Sequence, residues 1–243
     1  MEITSAVEDY LKAIYNLAHP PGGSVHVVST SALAERLGVA APSVSAMLAR
    51  TDNAGLTTRH ARAVRLTVEG QALALTVVRR HRLVETMLYQ QLGVPWDEVH
   101  EEAERMEHAI SDRLEGYLDR ALGYPTHDPH GDPIPSRRRP TEPEGRHLPL
   151  VDAPAGCSFL VRRVSDANPA VLRHLADHGV LPDVTLTVLR HDPFAGPTWI
   201  HIRGGVSEHA LSAALAQDVF GEVVETVGRE QAQPEVAPPQ AAV

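Results

Sequence analysis

The sequence predicts an α+β fold that is mainly α, and two patterns along the chain lead to this prediction. Apolar residues recur at helical spacing through most of the first 123 residues, between residue types typical of helix ends. Beyond residue 153, apolar and polar residues alternate in four short segments, as they do in strands. We therefore expect a helical first half and a small β domain after it.

Three helices are predicted in the first third of the chain. The first lies in SAVEDYLKAIYNLA, where Ser5 and Glu8 have the spacing of a capping box. The second lies in STSALAERLGV and begins at Ser29 or Thr30. The third lies in APSVSAMLARTDNAGL, with Pro42 at an early helical position.

A basic hairpin follows, because LTTRHARAVRLT reads as two short β-branched strands around an arginine-containing loop. Helix, helix, short turn, helix and hairpin is the order of a winged helix-turn-helix. The third helix begins with small residues that suit a close approach in a major groove, although such helix pairs are also common in all-α proteins. The residues expected at DNA are Ser31, Pro42, Ser43, Ser45, Arg50, Arg59 and Arg62.

Two long helices are predicted next, and the second carries a dense group of ligand-capable side chains. The first, EGQALALTVVRRHRLVETMLYQQLG, has His81 and Glu85 four residues apart on one face. The second is predicted as one helix over PWDEVHEEAERMEHAISDRLEGYLDRALG. Helical geometry places four of its side chains on one arc of ~100°; they are His100, Glu104, Glu107 and His108.

This arc suggests a metal site. Glu104 and Glu107, three residues apart, repel each other unless a cation lies between them. Nitrogen and oxygen ligands without a thiolate suit Mn²⁺ or Fe²⁺. A solvated acidic helix is the alternative interpretation.

The composition limits the class of protein. Residues 1–75 carry six basic and six acidic side chains, so the net charge of −9 comes from the rest of the chain and argues against a general nucleic-acid binder. Cys157 is the single cysteine, which favours a reducing cytoplasm, and no leader or apolar run predicts a membrane partner. Metallopeptidase, di-iron and phosphate-loop motifs do not occur, so we expect no enzyme.

The last third predicts strands in CSFLVRRVS, VTLTVLRHD, TWIHIRGGV and GEVVETVG, with a short helix in NPAVLRHLADHG. This pattern fits a small β-barrel. The Pro/Ala-rich tail, residues 231–243, is predicted to be disordered. The histidines of this region are scattered along the sequence, and we expect surface or strand positions rather than ligands for His174, His178, His191, His201 and His209.

Taken together, these motifs resemble those of the diphtheria-toxin-repressor family of metal-dependent transcriptional regulators. The matching segments are EDYLKAIY, ALAERLGVAAPSVSAMLARTDNAGL, RRHRLVETML, WDEVHEEAERMEHAISDRL and GYPTHDPHGDPIP, within residues 6–135. The resemblance implies a homodimer with a winged helix, a helical dimerisation domain and an SH3-like C-terminal domain. It also implies binding to operator DNA in the presence of Fe²⁺ or Mn²⁺, and repression of metal uptake.

The resemblance further implies a primary metal site formed by Asp9, Glu104, Glu107 and His108. The iron-sensing branch typically has Met at the first of these positions and Cys at the second. Oxygen ligands at both positions favour Mn²⁺, with Fe²⁺ as the second choice. Lys12 departs from the pattern, because some manganese sensors have a Glu ligand there, and this argues against a two-ion cluster of that kind.

A second site is implied at His81, Glu85 and His100. The first two could equally form a surface ion pair. The resemblance adds three further candidates from later segments, Asp128, His130 and Asp166. For Asp166 the alternative is a turn or helix-cap residue, given the Asn and Pro that follow it.

The expected function is a manganese-dependent repressor of metal-homeostasis genes. An iron-dependent repressor of the same family and a cytosolic metal-binding protein that no longer reads DNA are the alternatives, and a metal-dependent hydrolase ranks third. The predicted domains are a winged helix-turn-helix (1–73), a helical dimerisation and metal-binding domain (74–140), a linker (141–152), an SH3-like, FeoA-like domain (153–230) and the tail (231–243).

Overall fold

The structure, a computed structural model, describes residues 3–20, 25–60, 63–136, 147–205 and 207–226. Arg62 and the predicted disordered tail lie outside the described residues. The α-helices are α1 (Ser5–Ala18), α2 (Thr30–Leu37), α3 (Ala41–Asn53), α4 (Val68–Leu92), α5 (Val99–Met106), α6 (Asp112–Ala121), α7 (Pro169–Asp177) and α8 (Ala213–Gln217). The strands are β1 (Val28–Ser29), β2 (Thr57–His60), β3 (Ala63–Leu66), β4 (Leu148–Pro149), β5 (Cys157–Val164), β6 (Thr185–His191), β7 (Thr198–Ile202), β8 (Glu208–Leu211) and β9 (Val219–Thr226). The predicted α+β fold, mainly α, is confirmed.

The N-terminal domain is a winged helix-turn-helix. Helices α1, α2 and α3 enclose a core that includes Leu33, Val44 and Leu48, and a three-stranded sheet in the order β1-β3-β2 covers it. Helix α2 begins as predicted, because the Ala32 N–H donates to the Ser29 hydroxyl at 3.1 Å.

The predicted capping box at the start of α1 is wrong. The N-cap residue is Thr4, and its side chain makes no capping hydrogen bond. Glu8 instead turns away from the helix end and receives a hydrogen bond from His108. The tertiary contact therefore takes precedence over the local one.

The helical middle of the chain differs from the prediction at one point. Helix α4 is continuous over 25 residues, as predicted, and ends at Gly93 in the left-handed conformation. The second predicted helix is interrupted, because Glu107–Ala109 form a 3₁₀ turn and Ile110 is extended and buried. Ser111 then begins a new helix by accepting the Leu114 N–H at 3.2 Å. The cap signal of Ser111 was present in the sequence, but the apolar periodicity concealed it.

The C-terminal domain is a six-stranded antiparallel sheet in the order β4-β9-β5-β6-β7-β8, with α7 packed on it. The short elements β4, β8 and α8 were not predicted, because two to five residues are too few for a periodic pattern. The end of the predicted linker 141–152 also differs: Pro149 in β4 pairs with Phe220, and Leu150 is fully buried in the sheet core. Residues 148–152 therefore pack with the sheet.

This domain is attached to the helical domain by several contacts. Trp96, which precedes α5, lies in the core of the sheet domain and donates from its indole nitrogen to the Pro129 carbonyl at 2.8 Å. Asp132 accepts a hydrogen bond from Arg82 and forms an ion pair with Arg163, both at 2.8 Å, and so links α4 to β5. None of the helices in the described ranges is long and apolar enough to cross a bilayer.

Candidate metal centre

Ligand-capable side chains from all three domains meet in one region between the domains. Helix α1 contributes from the DNA-binding domain, while α4, α5 and the 3₁₀ turn contribute from the helical domain. The loop after β5 contributes from the sheet domain. The converging groups are Asp9, His81, Glu85, His100, Glu107, His108 and Asp166, with Glu104, Asp128 and His130 beside them.

The first group joins Asp9 to Glu107 and His108, whose ligand atoms all lie within 4.8 Å of one another. The Nε2 atom of His108 is 2.8 Å from Asp9 Oδ1 and 3.6 Å from Glu107 Oε1. Glu107 is almost completely buried, and His108 is partly exposed. Three of the four predicted primary ligands are thus together, one from α1 and two from the 3₁₀ turn.

His108 is held as an imidazolium. Its Nδ1 lies 2.6 Å from Glu8 Oε2 and its Nε2 lies 2.8 Å from Asp9 Oδ1, and both carboxylates can only accept. Burial disfavours the charged ring, but the hydrogen bond to Glu8 and the charges of Asp9 and Glu107 outweigh it and raise the pKa of His108. Burial also disfavours the charged form of Asp9, and this raises the pKa of its carboxyl group.

The fourth predicted primary ligand, Glu104, is held by a lysine. Lys12 Nζ donates to Glu104 Oε1 at 2.9 Å and to the two oxygens of Glu107 at 2.9 and 2.7 Å. It also lies 3.1 Å from His81 Nδ1. Burial alone raises the pKa of Glu104, but the Lys12 charge outweighs it and the pKa is lowered. Glu104 therefore belongs, in this structure, to a group with His81 and Glu107 around the ammonium.

The second group joins His81, Glu85, His100 and Asp166, again with ligand atoms within 4.8 Å of one another. His81 Nε2 is 2.9 Å from Glu85 Oε1, and His100 Nδ1 is 3.1 Å from the same oxygen and 3.0 Å from Asp166 Oδ2. His81 and Glu85 are buried, so the alternative of a surface ion pair is wrong. The turn or helix-cap reading of Asp166 is incomplete, because this side chain contacts His100 in another domain.

Charge pairing dominates this second group. Burial lowers the pKa of His100, but the hydrogen bond and charge of Asp166, together with Glu85, raise it to about 10. Burial opposes ionisation of Glu85 and Asp166, yet the neighbouring histidines lower the pKa of each carboxyl. Burial also opposes a charged His81, but the nearby Glu85 carboxylate raises its pKa.

A third group, Glu85, Asp128 and His130, adjoins the second through the shared Glu85. The Nε2 atom of His130 lies 2.9 Å from the Trp96 carbonyl, an acceptor, so this nitrogen carries a hydrogen. The Nδ1 atom of His130 is buried without a hydrogen-bond partner and lies 3.9 Å from Glu85 Oε1, while Glu85 Oε2 is also unpartnered. Buried polar atoms without a hydrogen-bond partner, such as these two, are typical of a place that a cation or water fills.

Asp128 has a more structural position than its neighbours. Its Oδ1 accepts the backbone N–H groups of His130 and Asp132, both at 2.9 Å, and so shapes the turn. Burial, with the charges of Asp132 and Glu85, raises the pKa of Asp128 well above its usual range.

A cleft of about 530 Å³ leads from solvent to these groups. Residues of all three domains line it, including Asp9, Lys12, His100, Glu104 and Asp166. The carboxylates on its walls make the cleft attractive to a cation.

The residues predicted to contact DNA lie on the N-terminal domain. Exposed side chains of α2 and of the N-terminal half of α3 are Ser31, Pro42, Ser43 and Ser45. Arg50 is exposed on the same helix, whereas Arg59 pairs with Asp52 at 2.5 Å. Arg62 lies outside the described residues.

Sequence reasoning missed two residues of the centre and one cluster elsewhere. Glu8 and Lys12 were not assigned to a site, although Glu8 directly precedes Asp9 and Lys12 lies three residues after it on the same face of α1. Of the C-terminal histidines that are scattered in sequence, His174, His178 and His209 lie side by side, with ring centroids 4.3 and 5.1 Å apart.

Three family models match the chain. The model of the iron dependent repressor N-terminal DNA binding domain matches residues 2–63. The model of the iron dependent repressor metal binding and dimerisation domain matches 67–136, and the FeoA domain model matches 148–223.

Curated relatives extend over most of the chain. The iron-dependent repressor IdeR of Mycobacterium tuberculosis (strain ATCC 25618 / H37Rv) is 34% identical over 202 residues, which are 77% of this chain and 85% of that protein. The diphtheria toxin repressor of Corynebacterium efficiens is 36% identical over 169 residues, 67% of this chain and 71% of that protein.

Solved structures are similar over a greater share. A manganese-dependent transcriptional repressor in complex with manganese has a TM-score of 0.82 and 40% identity, and the match covers 90% of this chain and all (100%) of that one. The manganese regulator SloR has a TM-score of 0.72 and 33% identity, over 92% of this chain and 100% of that one.

Proposed function

The chain belongs to the diphtheria-toxin-repressor family of iron-dependent repressors, and from that premise we propose that it is a manganese-dependent repressor whose metal sites fix the angle between its domains. It is a metal-dependent transcriptional repressor with DNA-binding and dimerisation domains. We further propose that a homodimer binds operator DNA upstream of metal-homeostasis genes.

The observation that carries the proposal is the meeting of Asp9 with Glu107 and His108. Asp9 belongs to α1 of the DNA-binding domain, and the other two belong to the helical domain that forms the family's dimer. An ion held by all three ties α1 to the dimerisation domain and fixes the direction of α3 relative to the dimer axis. The three ligands meet when α1 lies against the helical domain as it does here. A bound metal therefore stabilises this arrangement of the two domains over others.

The donor atoms fit a hard or borderline divalent ion. Two carboxylates and one imidazole, with no thiolate or thioether, are ligands that Mn²⁺ and Fe²⁺ accept and that soft ions do not prefer. The absence of sulfur at Asp9 and Glu104 supports Mn²⁺ as the first choice, and Fe²⁺ as the alternative. We propose Asp9, Glu107 and His108 as the core of this primary site, with the second carboxylate oxygen of Glu104 as a fourth ligand while Oε1 keeps its bond to Lys12.

We propose a second site that joins the sheet domain to the helical domain. Its core is His81, Glu85, His100 and Asp166, whose ligand atoms already converge. The orphaned Nδ1 of His130 supports adding it as a further ligand. For Asp128 the support is weaker, since its Oδ1 is occupied by two backbone N–H groups.

The N-terminal domain supplies the operator contacts in this proposal. The exposed small residues at the start of α3 support close approach to base edges, and we propose phosphate contacts for Arg50, which is exposed, and for Arg59 once it releases Asp52. For domain boundaries we propose 1–73, 74–140 and a third domain from residue 148 to about 226, which shortens the linker to 141–147.

The test is fluorescence anisotropy on a labelled fragment of the protein's own promoter, with metal-free protein to which Mn²⁺ or Fe²⁺ is added anaerobically. We expect tight binding only with metal, at a lower concentration of Mn²⁺ than of Fe²⁺. Asp9→Ala should weaken the metal-dependent binding by about 10-fold or more, because it removes the ligand that connects the domains.

The matched control is Glu101→Ala. It removes a carboxylate that lies in the same cleft and forms an ion pair with Arg105. It should leave the metal dependence unchanged. Binding to the promoter without metal, or equal loss in both variants, would contradict the proposed switch. A steep decrease of affinity with salt would identify the phosphate contribution.

A further inference from the structure

We propose that Lys12 is a built-in cation that occupies a second cation position beside the primary centre, so that the centre takes a single metal ion. This inference rests on the proposed function, because it assigns the occupant of a position next to the proposed primary site. It concerns the ammonium group and the three side chains around it.

The three side chains have the arrangement of a metal site. One ligand atom each of His81, Glu104 and Glu107 lies within 4.8 Å of the others. Glu107 is shared with the primary group, where its Oε1 is 3.6 Å from His108 Nε2. Two adjacent cation positions therefore share one buried carboxylate.

Lys12 already supplies the charge in the second of these positions. Its Nζ lies 2.7 to 3.1 Å from the carboxylates of Glu104 and Glu107 and from the His81 ring. Only 6% of this lysine is exposed, which is uncommon for a residue with a strongly hydrated head group. Its burial is compensated by two carboxylates that would otherwise repel each other.

The position of Lys12 on α1 keeps its ammonium group in the pocket. It follows Asp9 by three residues on α1, so the helix that brings the primary ligand also carries the ammonium to its neighbour. A lysine that left the pocket would take a permanent positive charge away from Glu107, which is 1% exposed, and would leave it with His81 at 2.5 Å and His108 at 3.6 Å. A divalent ion that entered would have to displace this tethered cation.

The structure also offers an alternative, in which Lys12 is an ordinary salt bridge that moves aside when metal arrives. Both interpretations agree with the contacts of Lys12 in the metal-free protein, but they differ in the number of metal ions that the centre binds. With Lys12 in place, the primary centre takes one ion, and its isotherm has a single step without cooperativity. If Lys12 moves aside, two ions bind next to each other and share Glu107.

The experiment counts Mn²⁺ ions per subunit in the full-length protein, by calorimetry and by electron paramagnetic resonance. All proteins carry His100→Gln, which removes a ligand of the proposed second site and keeps Lys12 and the three side chains around it. We expect one ion per subunit with Lys12, and the spectrum of an isolated Mn²⁺. Lys12→Met removes the charge at similar volume, and it should admit a second ion with a spin-coupled spectrum.

Lys12→Arg is the matched control, since it keeps a positive charge on α1, and it should still bind one ion. Lys12→Glu adds a carboxylate instead and should bind two ions even if the methionine variant folds poorly, which circular dichroism would reveal. Two ions with Lys12 in place, or a single ion in both Lys12→Met and Lys12→Glu, would overturn the inference while leaving the proposed function intact. Failure of every protein to bind Mn²⁺ would overturn the proposed function and the inference with it.

Discussion

Binding of Mn²⁺ at the proposed primary site must displace a proton from His108, because both of its ring nitrogens already face carboxylate oxygens at 2.6 and 2.8 Å. The ligand atom of His108 would be Nε2, the nitrogen that lies 2.8 Å from Asp9 Oδ1. The hydrogen on Nδ1 stays, directed at Glu8, which then orients the ring as an outer carboxylate does in many metal sites.

The number of protons released on Mn²⁺ binding follows from the direction of the pKa shift of His108. An unperturbed imidazole has a pKa of about 6.5 and would release about half a proton at that pH. The raised pKa of His108 moves the release at pH 6.5 towards one proton. Because the proton competes with the metal, affinity falls as pH decreases, and below the raised pKa each pH unit weakens binding about tenfold, or about 1.4 kcal/mol.

The assay is calorimetric titration of Mn²⁺ at pH 6.5 in two buffers with different ionisation enthalpies. The difference between the observed heats gives the number of protons released. The protein should carry His100→Gln, since His100, with a pKa of about 10, would otherwise contribute a proton from the second site. Glu8→Gln keeps an acceptor for Nδ1 but removes the charge, so the release should fall towards half a proton.

Glu101→Gln is the control, because this carboxylate lies in the same cleft without contacting His108. Its proton release should equal that of the parent protein. A release near zero at pH 6.5, or an unchanged release in Glu8→Gln, would refute the assignment of His108 as an imidazolium held by Glu8 and Asp9.

Three further predictions concern stability in the metal-free protein, each measured by urea unfolding. Asp166→Asn should remove a stabilisation that is full below pH 6.5 and lost as pH rises to about 10, the raised pKa of His100, so the two proteins should converge at high pH. Glu115→Ala should cost about 2 kcal/mol, because it removes one of the two carboxylates that pair with the buried Arg79 guanidinium at 2.7 Å, while Asp119 remains. Gly131→Ala should cost more than about 1 kcal/mol, since φ is +90° and the new Cβ would lie 2.0 Å from a β5 carbonyl. An unchanged unfolding midpoint in any of the three variants would contradict the stabilising role assigned to that residue.

Much of the fold follows from local signals in the sequence. The bounds of α2 and α4 agree with the prediction because a cap residue at one end and a glycine at the other fix them locally. The break after Met106 was not predicted, since it depends on Ile110 turning into the core, a contact that periodicity does not encode. The strands β4 and β8 were missed because they are short and defined by their partners.

The candidate site also combines contacts that local spacing predicts with contacts that depend on the tertiary fold. Helical spacing alone put His81 beside Glu85, and His100 with Glu104 on one face. The pairing of Lys12 with Glu104 could not be predicted, because the two residues are 92 positions apart and only the packing of α1 against the helical domain brings them together. A lysine in an amphipathic helix reads as a surface residue until its partners are known.

Trp96 is encoded with the helical domain but packed with the sheet domain, and this has a practical consequence for shortened versions of the protein. Its indole is 7% exposed and belongs to the same apolar core as Phe159 and Leu186. A version that stops near residue 140 would leave this ring open to water, because the core that receives it is formed by residues beyond that point. Such a fragment would be expected to self-associate, so a change in its DNA binding would report on an uncovered tryptophan as much as on the lost Asp166.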